Sequence, residues 1–354
     1  MRIVVTSQML ESTGYGEYAR LIAWALHVEG HNLRTRNYPC KPEHPDRLGH
    51  KGGLVLSQLG REIDAPVDLS LVVYVPTSFH FLVMYDIPNV GVSMTESGLV
   101  PPYYTRITDK SGMRVLAVPS EWNREAFLAS GLRIPMTLLQ PPVDVDLLRM
   151  RVRERRDVVD YLSIFNWPAP HKNPKALVEA FCRAFTGGEP VRLTIKTSGV
   201  TDAQIADDVH EAIRLSGVSS APEIRVICGS MTRREVLDLY AGSDVYVSSH
   251  RGEGWGLPIF ESMAIGMPAI ATAFSAPLEY MRARNSYPIR YNYNEKLGNA
   301  DVDIDELAST MRRVFARPDE ARMRGEIARL ELQERFTTKR TTAQVLAAAS
   351  LAVT

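Results

Sequence analysis

Short apolar runs alternate with segments of helical periodicity along most of the chain. Apolar, β-branched runs of about four to eight residues are typical of buried strands, and apolar residues three or four positions apart are typical of helices. The pattern predicts strands at Ile3–Thr6, Leu69–Val75, Val90–Met94, Val115–Val118, Thr137–Gln140, Val158–Phe165, Val191–Lys196, Ile224–Cys228, Val245–Ser248 and Pro268–Thr272. It predicts helices at Tyr15–Val28, Glu121–Ala129, Pro174–Phe185, Arg233–Ala241 and Leu257–Ala264. Strands that alternate with helices indicate βαβ units and parallel sheets.

The strands fall into two series, which predicts two doubly wound α/β domains. A length of 354 residues agrees with this, since domains usually have about 100–200 residues. We expect the first domain at residues 1–150 and the second at 151–335. Helices are predicted at the end of the chain, at Asp303–Ala316, Asp319–Phe336 and Thr338–Ala349. Residues 336–354 are expected to form a helix that packs back on the first domain.

The break between the two series lies between Pro141 and Asp157 and carries a run of arginines. These are Arg149, Arg151, Arg153, Arg155 and Arg156. Charge runs are usually solvated, so we interpret this stretch as an exposed linker. A basic surface for an acceptor or a membrane is the alternative.

The amino-acid composition argues against several classes of protein. Lys plus Arg and Asp plus Glu both number 41, without the basic excess of most proteins that grip long nucleic acids. The three cysteines, Cys40, Cys182 and Cys228, form no zinc spacing and suit a reducing cytosol, with Cys182 and Cys228 expected in the core. The N-terminal apolar run is too short for a signal peptide, and no stretch approaches the ~20 apolar residues of a membrane span. We therefore expect a cytoplasmic protein, and peripheral membrane contact stays open.

A glycine-rich turn follows the predicted strand Val245–Ser248 and contains Gly252, Gly254 and Gly256. Glycines let backbone N–H groups approach an anion closely, and the start of the next helix adds unpaired N–H groups. Glu253 and Glu261 flank this turn, and carboxylates accept hydrogen bonds from sugar hydroxyls. The segment therefore predicts a site for a phosphate between two polyols, which is the layout of a nucleotide sugar. The alternative is a surface turn with two solvated glutamates.

The segment Glu253-Gly-Trp-Gly-Leu-Pro-Ile-Phe-Glu261-Ser-Met-Ala-Ile-Gly-Met-Pro268 resembles the Glu-x7-Glu signature of retaining GT-B glycosyltransferases. The resemblance implies two Rossmann-like domains with parallel sheets that face each other across a cleft. It also implies that Glu253 faces the donor sugar and that Glu261 binds the nucleotide ribose. The backbone at Gly254, Trp255, Gly256 and Leu257 would lie near the sugar and the phosphates.

Lys172 follows the predicted strand Val158–Phe165 and precedes a helix. A cation there can neutralise the charge that develops on a departing diphosphate, and the resemblance implies a phosphate-binding lysine at this position. Relatives often carry an arginine about six residues earlier, where this chain has Asn166, and His171 replaces an arginine next to the lysine. Lys172 would act alone or with Lys196 or Arg251.

Further donor contacts are expected at the ends of two strands. Lys196 ends one strand at the ligand edge of the second domain, and the loop with Ser230 and Met231 would lie at the edge of the nucleotide base. A solvated lysine and a simple helix N-cap at Thr232 are the respective alternatives.

The first domain offers weaker candidates for the acceptor. Gly14, Tyr15 and Gly16 follow the first strand and open a helix, where relatives place the loop across the cleft from the donor. Glu96 follows the strand Val90–Met94, near the acceptor position of relatives, and His80 is the weaker alternative.

Together these features predict an enzyme that transfers a hexose from a UDP- or GDP-sugar to an acceptor hydroxyl with retained configuration. We expect no cofactor and no metal, because Lys172 and backbone amides supply the positive charge and no Asp-x-Asp motif stands in the relevant segments. The expected acceptor is a glycan or small molecule. Modified DNA bases, a nucleotide-sugar epimerase and a nucleotide-sugar-binding protein remain as alternatives.

Overall fold

A computed structural model describes residues 1–38, 48–59, 66–150 and 157–353 of the chain. These residues cluster into two compact units. The first comprises Met1–Asp146, Thr232–Arg234 and Gln333–Thr354, and the second comprises Leu147–Met231 and Glu235–Leu332. Each unit is built around its own parallel sheet.

The described part of the chain contains the following strands and helices. The strands are β1 (Arg2–Ser7), β2 (Asn32–Asn37), β3 (Leu69–Val73), β4 (Asn89–Val92), β5 (Val115–Val118), β6 (Met136–Leu138), β7 (Val159–Ile164), β8 (Val191–Thr197), β9 (Glu223–Cys228), β10 (Val245–Ser248), β11 (Ala269–Thr272), β12 (Tyr287–Ile289), β13 (Tyr291–Asn294) and β14 (Asn299–Val302). The helices are α1 (Gly14–Val28), α2 (Gly49–Gln58), α3 (Phe79–Leu82), α4 (Pro102–Lys110), α5 (Glu121–Ala129), α6 (Val145–Leu148), α7 (Pro174–Ala184), α8 (Asp202–Ser216), α9 (Arg233–Gly242), α10 (Leu257–Ala264), α11 (Ile304–Ala316), α12 (Pro318–Arg335) and α13 (Thr338–Val353).

The first unit has a six-stranded sheet of order β2-β1-β3-β4-β5-β6. All of its neighbouring strands are parallel. Its inner strands are apolar on both faces, as expected where helices cover both sides. Helix α13 packs against α1 in this unit, and the hydroxyl of Thr341 donates to the carbonyl of Gln140 at 2.8 Å.

The second unit has a six-stranded sheet of order β12-β11-β10-β7-β8-β9, again with parallel neighbours. Tyr161 on β7 lies at the centre of its core, with its ring 5.6 Å from those of Phe181 and Phe185 on the α7 side. Strands β13 and β14 form a separate antiparallel pair. Two parallel α/β units confirm the predicted fold class.

The predicted strands are all present, and their ends differ from the prediction by at most two residues. The prediction lacked β2, β12, the β13–β14 pair and the helices α2, α3, α4, α6 and α8. Strand β2 is an edge strand with arginines at alternate positions, and α8 buries only Ile205 and Ala212, so neither carries a strong apolar signal. The pattern therefore found the inner strands and missed two edge strands, the separate antiparallel pair and several helices that are short or mostly polar.

Two expectations about individual residues are wrong, and others fall outside the described residues. Cys228 is exposed rather than part of the core, because it ends an edge strand, whereas Cys182 is buried. The expected linker does not begin at Pro141, since residues 141–144 are buried and Asp144 forms a buried ion pair with Lys51. Cys40 and residues 151–156, with most of the arginine run, lie outside the described residues.

In the described residues, none of the helices combines the length and the hydropathy needed to cross a membrane.

The strand order fixes where a ligand is expected in the second unit. Chain order reverses between β7 and β10, which are neighbours in the sheet. Ligands of open α/β sheets bind at the carboxyl ends of the strands beside such a reversal. The loop after β7 carries Lys172 and the loop after β10 carries Glu253, so both predicted residues lie at this position.

A close backbone contact holds the helix that follows the glycine-rich turn. Gly266 lies just beyond α10 with φ 91°, a conformation that favours glycine. Helix α12 packs directly on it: a Cβ at Gly325 would lie 2.1 Å from the carbonyl oxygen of Gly266 and 3.1 Å from the nitrogen of Pro268. The end of α10 is therefore fixed by backbone packing that tolerates no side chain at Gly325.

We predict that Gly325→Ala destabilises the second unit, although alanine favours a helix interior. The overpacking costs about 1–3 kcal/mol, which exceeds the gain in helix propensity of about 1 kcal/mol. Gly242→Ala on α9 is the control, because a Cβ there meets no atom within 4 Å. Thermal unfolding followed by circular dichroism compares the two variants. A Gly325→Ala protein as stable as the unmodified chain would contradict the packing argument.

Candidate active site

Two opposite charges meet at the carboxyl ends of β7 and β10. The Nζ atom of Lys172 lies 2.7 Å from Oε1 of Glu253. Their side chains are 19% and 10% exposed, so the pair is largely shielded from water while still open on one side. A shielded ion pair stabilises the fold only if both partners are held in place, because a buried charge without a partner destabilises it.

Hydrogen bonds between the two loops hold Lys172. The segment Pro170–Lys172 is a short 3₁₀ turn, and Asn173 follows it in the left-handed region at φ 54°. Asparagine tolerates this region better than most residues. From the loop after β10, the Ser249 hydroxyl donates to the carbonyl of Asn173 at 2.8 Å, and the Arg251 amide donates to that of His171 at 2.6 Å. The backbone around the lysine is thus tied to the loop of its partner.

Arg251 also holds together the two loops that carry Lys172 and Glu253. Its guanidinium pairs with Asp301 on β14 at 2.6 Å and donates to the carbonyl of Pro170 at 2.8 Å. These contacts use the arginine to hold the two loops.

Electrostatics keep Glu253 ionised. Burial favours the neutral acid and is the largest single influence, but the charge and hydrogen bond of Lys172, together with His250 and His171, outweigh it, so the pKa of Glu253 lies below its ordinary value. The Glu253 amide donates to the hydroxyl of Ser275 at 2.8 Å, which fixes the backbone of the residue as well. The site therefore presents a carboxylate, not a carboxylic acid.

Two histidines lie near this carboxylate. Burial lowers the pKa of His250, whose Nε2 lies 3.2 Å from the carbonyl oxygen of Phe274 and whose Nδ1 lies 3.1 Å from the Ser248 hydroxyl. A carbonyl only accepts, so Nε2 carries the proton and Nδ1 accepts from the serine. Burial and the neighbouring Lys172 lower the pKa of His171 to about 4. Both imidazoles are neutral near pH 7.

The turn after Glu253 opens α10 without a side-chain cap. Gly256 is the N-cap residue at φ 78°, and a Cβ there would lie 2.9 Å from the Tyr280 hydroxyl oxygen. The first hydrogen bond of the helix runs from the amide of Phe260 to the carbonyl of Gly256 at 3.0 Å. Amides before that bond, such as that of Leu257, belong to the N-terminal turn, where the helix dipole favours an anion.

The predicted donor residues on α10 and its turn differ in the chemical groups that they present to a ligand. Glu261 is buried, and the Tyr240 hydroxyl donates to its Oε2 at 2.9 Å. The Trp255 side chain is buried in an aromatic cluster, with ring centroids 5.3 Å from Phe260 and 5.1 Å from Tyr280. Trp255 therefore offers a ligand its backbone, whereas Glu261 presents a held carboxylate. Gly254 is buried in the same turn.

Comparison with known families identifies this region. The family model of Glycosyl transferases group 1 matches residues 157–317, which include every strand from β7 to β14. The matched segment is similar to the group 1 glycosyltransferases. Comparison of the sequence with curated proteins gives no match.

Solved structures resemble the fold of this chain at low sequence identity. HepE of Anabaena in complex with UDP and glucose has a TM-score of 0.70 at 14% identity, with 99% of both chains covered. Sucrose-phosphate synthase of Thermosynechococcus elongatus has a TM-score of 0.72 at 14% identity, with 98% of this chain and 97% of that one covered. A variant of S. aureus TarM in complex with Fondaparinux, alpha-GlcNAc-glycerol and UDP has a TM-score of 0.64 at 16% identity; 79% of this chain matches, which spans 55% of TarM. These similarities confirm the predicted GT-B fold.

The other predicted donor residues lie on neighbouring loops of the second unit. Asn166 follows β7 and is exposed, and its Oδ1 would lie 2.6 Å from a Cβ at Gly199. Lys196 is half-buried near the end of β8, and Ser230 and Met231 follow β9, with Ser230 exposed. Their contacts with a donor stay predictions.

The acceptor candidates lie in the first unit. Gly14 is exposed at the start of α1, whereas Gly16 is packed so tightly that a Cβ would lie 2.5 Å from the Gln8 carbonyl oxygen. The Tyr15 hydroxyl lies 3.0 Å from that of Ser93, just after β4. Glu96 is exposed on the loop that follows. His80, the alternative, is exposed, and its ring is tilted by 43° against that of Phe81, with ring centroids 3.6 Å apart.

The sequence analysis missed residues that hold the candidate site in place. Ser275, Tyr280 and His250 bind the backbone or side chains of the donor loop, and Tyr240 binds Glu261. Their partners are distant in sequence or lie in loops. A single sequence carries no periodic signal for such contacts.

We predict that Lys172→Met destabilises the protein most at neutral pH. In the unmodified chain the ionised Glu253 adds stability above its unfolded pKa, and this is lost as the pH falls through its lower folded value. In the variant, Glu253 remains buried but has lost the Lys172 ammonium. The pKa of Glu253 in the folded state therefore rises above its ordinary value. The variant should be less stable by about 1–3 kcal/mol at pH 7, and the difference should shrink below about pH 4.

Urea unfolding at several pH values measures this difference. Lys296→Met is the matched control, because Lys296 is an exposed lysine of the same unit. A destabilisation of Lys172→Met that does not change with pH would contradict the electrostatic explanation.

Proposed function

We propose that the chain transfers a hexose from a nucleoside diphosphate sugar, linked to UDP or GDP, to an acceptor hydroxyl with retention of the anomeric configuration. The 2.7 Å contact between Lys172 and Glu253, beside the uncapped start of α10, carries this proposal. It places a cation, a carboxylate and a helix N-terminus at one end of the sheet. A donor with phosphates and sugar hydroxyls needs these three groups together.

The donor is arranged along this turn. The diphosphate binds at the start of α10, where the amides and the helix dipole favour its charge. Glu261, held by Tyr240, accepts hydrogen bonds from the ribose hydroxyls. Glu253 accepts hydrogen bonds from the hexose hydroxyls, and Lys172 binds the phosphate that bears the leaving oxygen.

The reaction breaks the bond between the anomeric carbon and the diphosphate oxygen and forms a bond from that carbon to the acceptor oxygen, whose proton passes to the departing diphosphate. Negative charge develops on the leaving diphosphate, and preorganised positive groups stabilise such charge most effectively where water is scarce. Lys172 and the α10 amides serve this purpose. Glu253 acts as a sugar ligand rather than as a covalent nucleophile. No metal or cofactor is required, so EDTA should leave the transfer rate unchanged.

The acceptor is a glycan or a small molecule, and the enzyme works in the cytosol. This proposal is supported by the structural relatives that bind saccharides together with UDP: the TarM variant is in complex with Fondaparinux and alpha-GlcNAc-glycerol, and HepE with glucose. Gly14, Tyr15 and Glu96 are the candidate acceptor residues. Transfer to hydroxymethylated duplex DNA tests the alternative acceptor, and conversion of the donor without any acceptor would indicate an epimerase.

A panel of UDP-, GDP- and ADP-sugars identifies the donor. A ligand at 100 times its dissociation constant adds about 2.7 kcal/mol to the stability of the unit that binds it. We expect a UDP- or GDP-sugar to raise the melting temperature more than the other donors do. NMR of the product then gives its anomeric configuration. Absence of any stabilisation by all three classes would contradict the proposal.

We predict that Glu253→Gln lowers kcat/KM at least about a hundredfold, as the loss of one preorganised polar contact to a reacting sugar typically does. Glutamine keeps the size of the side chain and removes its charge, so circular dichroism should show an unchanged fold. Glu295→Gln is the control, because Glu295 is an exposed glutamate of the same unit. Full transfer by Glu253→Gln would contradict its assignment as the sugar ligand.

A further inference from the structure

Ser275 has a backbone conformation that a serine rarely adopts. Its φ is 65° and its ψ is −154°, in a region populated almost only by glycine. The residue is 1% exposed and lies in the turn after β11. A side chain at such a position strains the backbone, so its presence calls for a function of that side chain.

The hydroxyl of Ser275 does not serve its own turn. Ser275 is the N-cap of the 3₁₀ segment Ala276–Glu279, where a serine oxygen usually accepts from an amide of that segment. No such bond forms here. The oxygen accepts instead from the Glu253 amide at 2.8 Å, across 22 residues of sequence.

The rest of the turn binds the same donor loop. The carbonyl of Phe274 accepts from His250 at 3.2 Å, and the hydroxyl of Tyr280 donates to the carbonyls of Trp255 at 2.8 Å and Gly256 at 3.0 Å. Residues 274–280 thus contact the donor loop before, at and after Glu253. Ser275 is the contact at Glu253 itself.

We propose that Ser275 is a positioning residue for the transfer reaction: its hydroxyl fixes the backbone of Glu253 and thereby the carboxylate that contacts Lys172. The inference rests on the proposed function of Glu253. It explains why a serine stands where the backbone favours glycine. The strain is retained because glycine would relax the turn but would leave the Glu253 amide without this acceptor.

Glycine and alanine at this position separate strain from positioning. Both Ser275→Gly and Ser275→Ala remove the hydroxyl, and only glycine relieves the positive φ. We expect both variants to lower kcat about three- to tenfold, the effect of one lost hydrogen bond, with the donor KM within about twofold. We expect Ser275→Gly to melt at a higher temperature than Ser275→Ala and no lower than the unmodified chain.

The pH dependence of kcat/KM distinguishes positioning from a purely structural role, because a purely structural role would leave it unchanged. Lys172, His250 and His171 face Glu253 electrostatically. With the carboxylate less firmly held against Lys172, the acidic limb of kcat/KM should move to higher pH in both variants. Asp86→Gly is the matched control, since Asp86 also has φ 65° but is exposed in the first unit. This control should gain stability and keep both kcat and the pH profile.

The outcomes distinguish this inference from the function on which it rests. An active unmodified chain with a fully active Ser275→Gly variant would overturn the positioning role alone. So would a Ser275→Gly variant whose melting temperature falls in step with its kcat, because the hydroxyl would then support folding. An unmodified chain without transfer activity would overturn the proposed function and this inference together.

Discussion

The contact between Lys172 and Glu253 is the constraint around which the ligand edge of the second unit is built. Two charges that are mostly removed from water attract each other strongly only if their distance is fixed, since desolvation otherwise exceeds the Coulombic gain. The two residues come from loops after different strands, 81 positions apart. Their distance is therefore set by the parallel pairing of β7 with β10 and by the hydrogen bonds between the loops, not by local sequence.

Unusual backbone conformations help to hold the two charged residues at this distance. Three non-glycine residues with positive φ occur in the described part of the chain, and two of them, Asn173 and Ser275, adjoin the backbone of Lys172 and Glu253. Gly256 adds a left-handed N-cap at the start of α10. Strained conformations persist only where surrounding contacts hold them, and they concentrate at functional sites. Here they aim two side chains and a helix N-terminus at one place.

The sequence predicted the elements that carry strong local signals. Inner strands such as Val115–Val118 and Val245–Ser248 are continuous apolar runs, and their bounds are the same in the structure. Lys172 and Glu253 were predicted from their places after strands, from the glycine-rich turn and from the resemblance to the Glu-x7-Glu signature, and the strand order brings them together. Strand β2 and helix α8 were missed because their exposed faces are polar. Ser275 was missed for another reason: its function depends on a backbone angle and a distant amide, which no spacing in one sequence encodes.

In the proposed reaction the ion pair also prepares the site for its donor. Before binding, each charge satisfies the other, so neither stands unpaired in a place with little water. A nucleotide sugar brings a substitute for both, because its phosphate is an anion for Lys172 and its hydroxyls are hydrogen-bond donors for Glu253. The exchange leaves the loop backbones where they are, since Ser249 and Ser275 hold them through main-chain atoms rather than through the charges. A site whose frame is independent of its charges can change partners without reorganising, and preorganisation of this kind is what stabilises a developing charge.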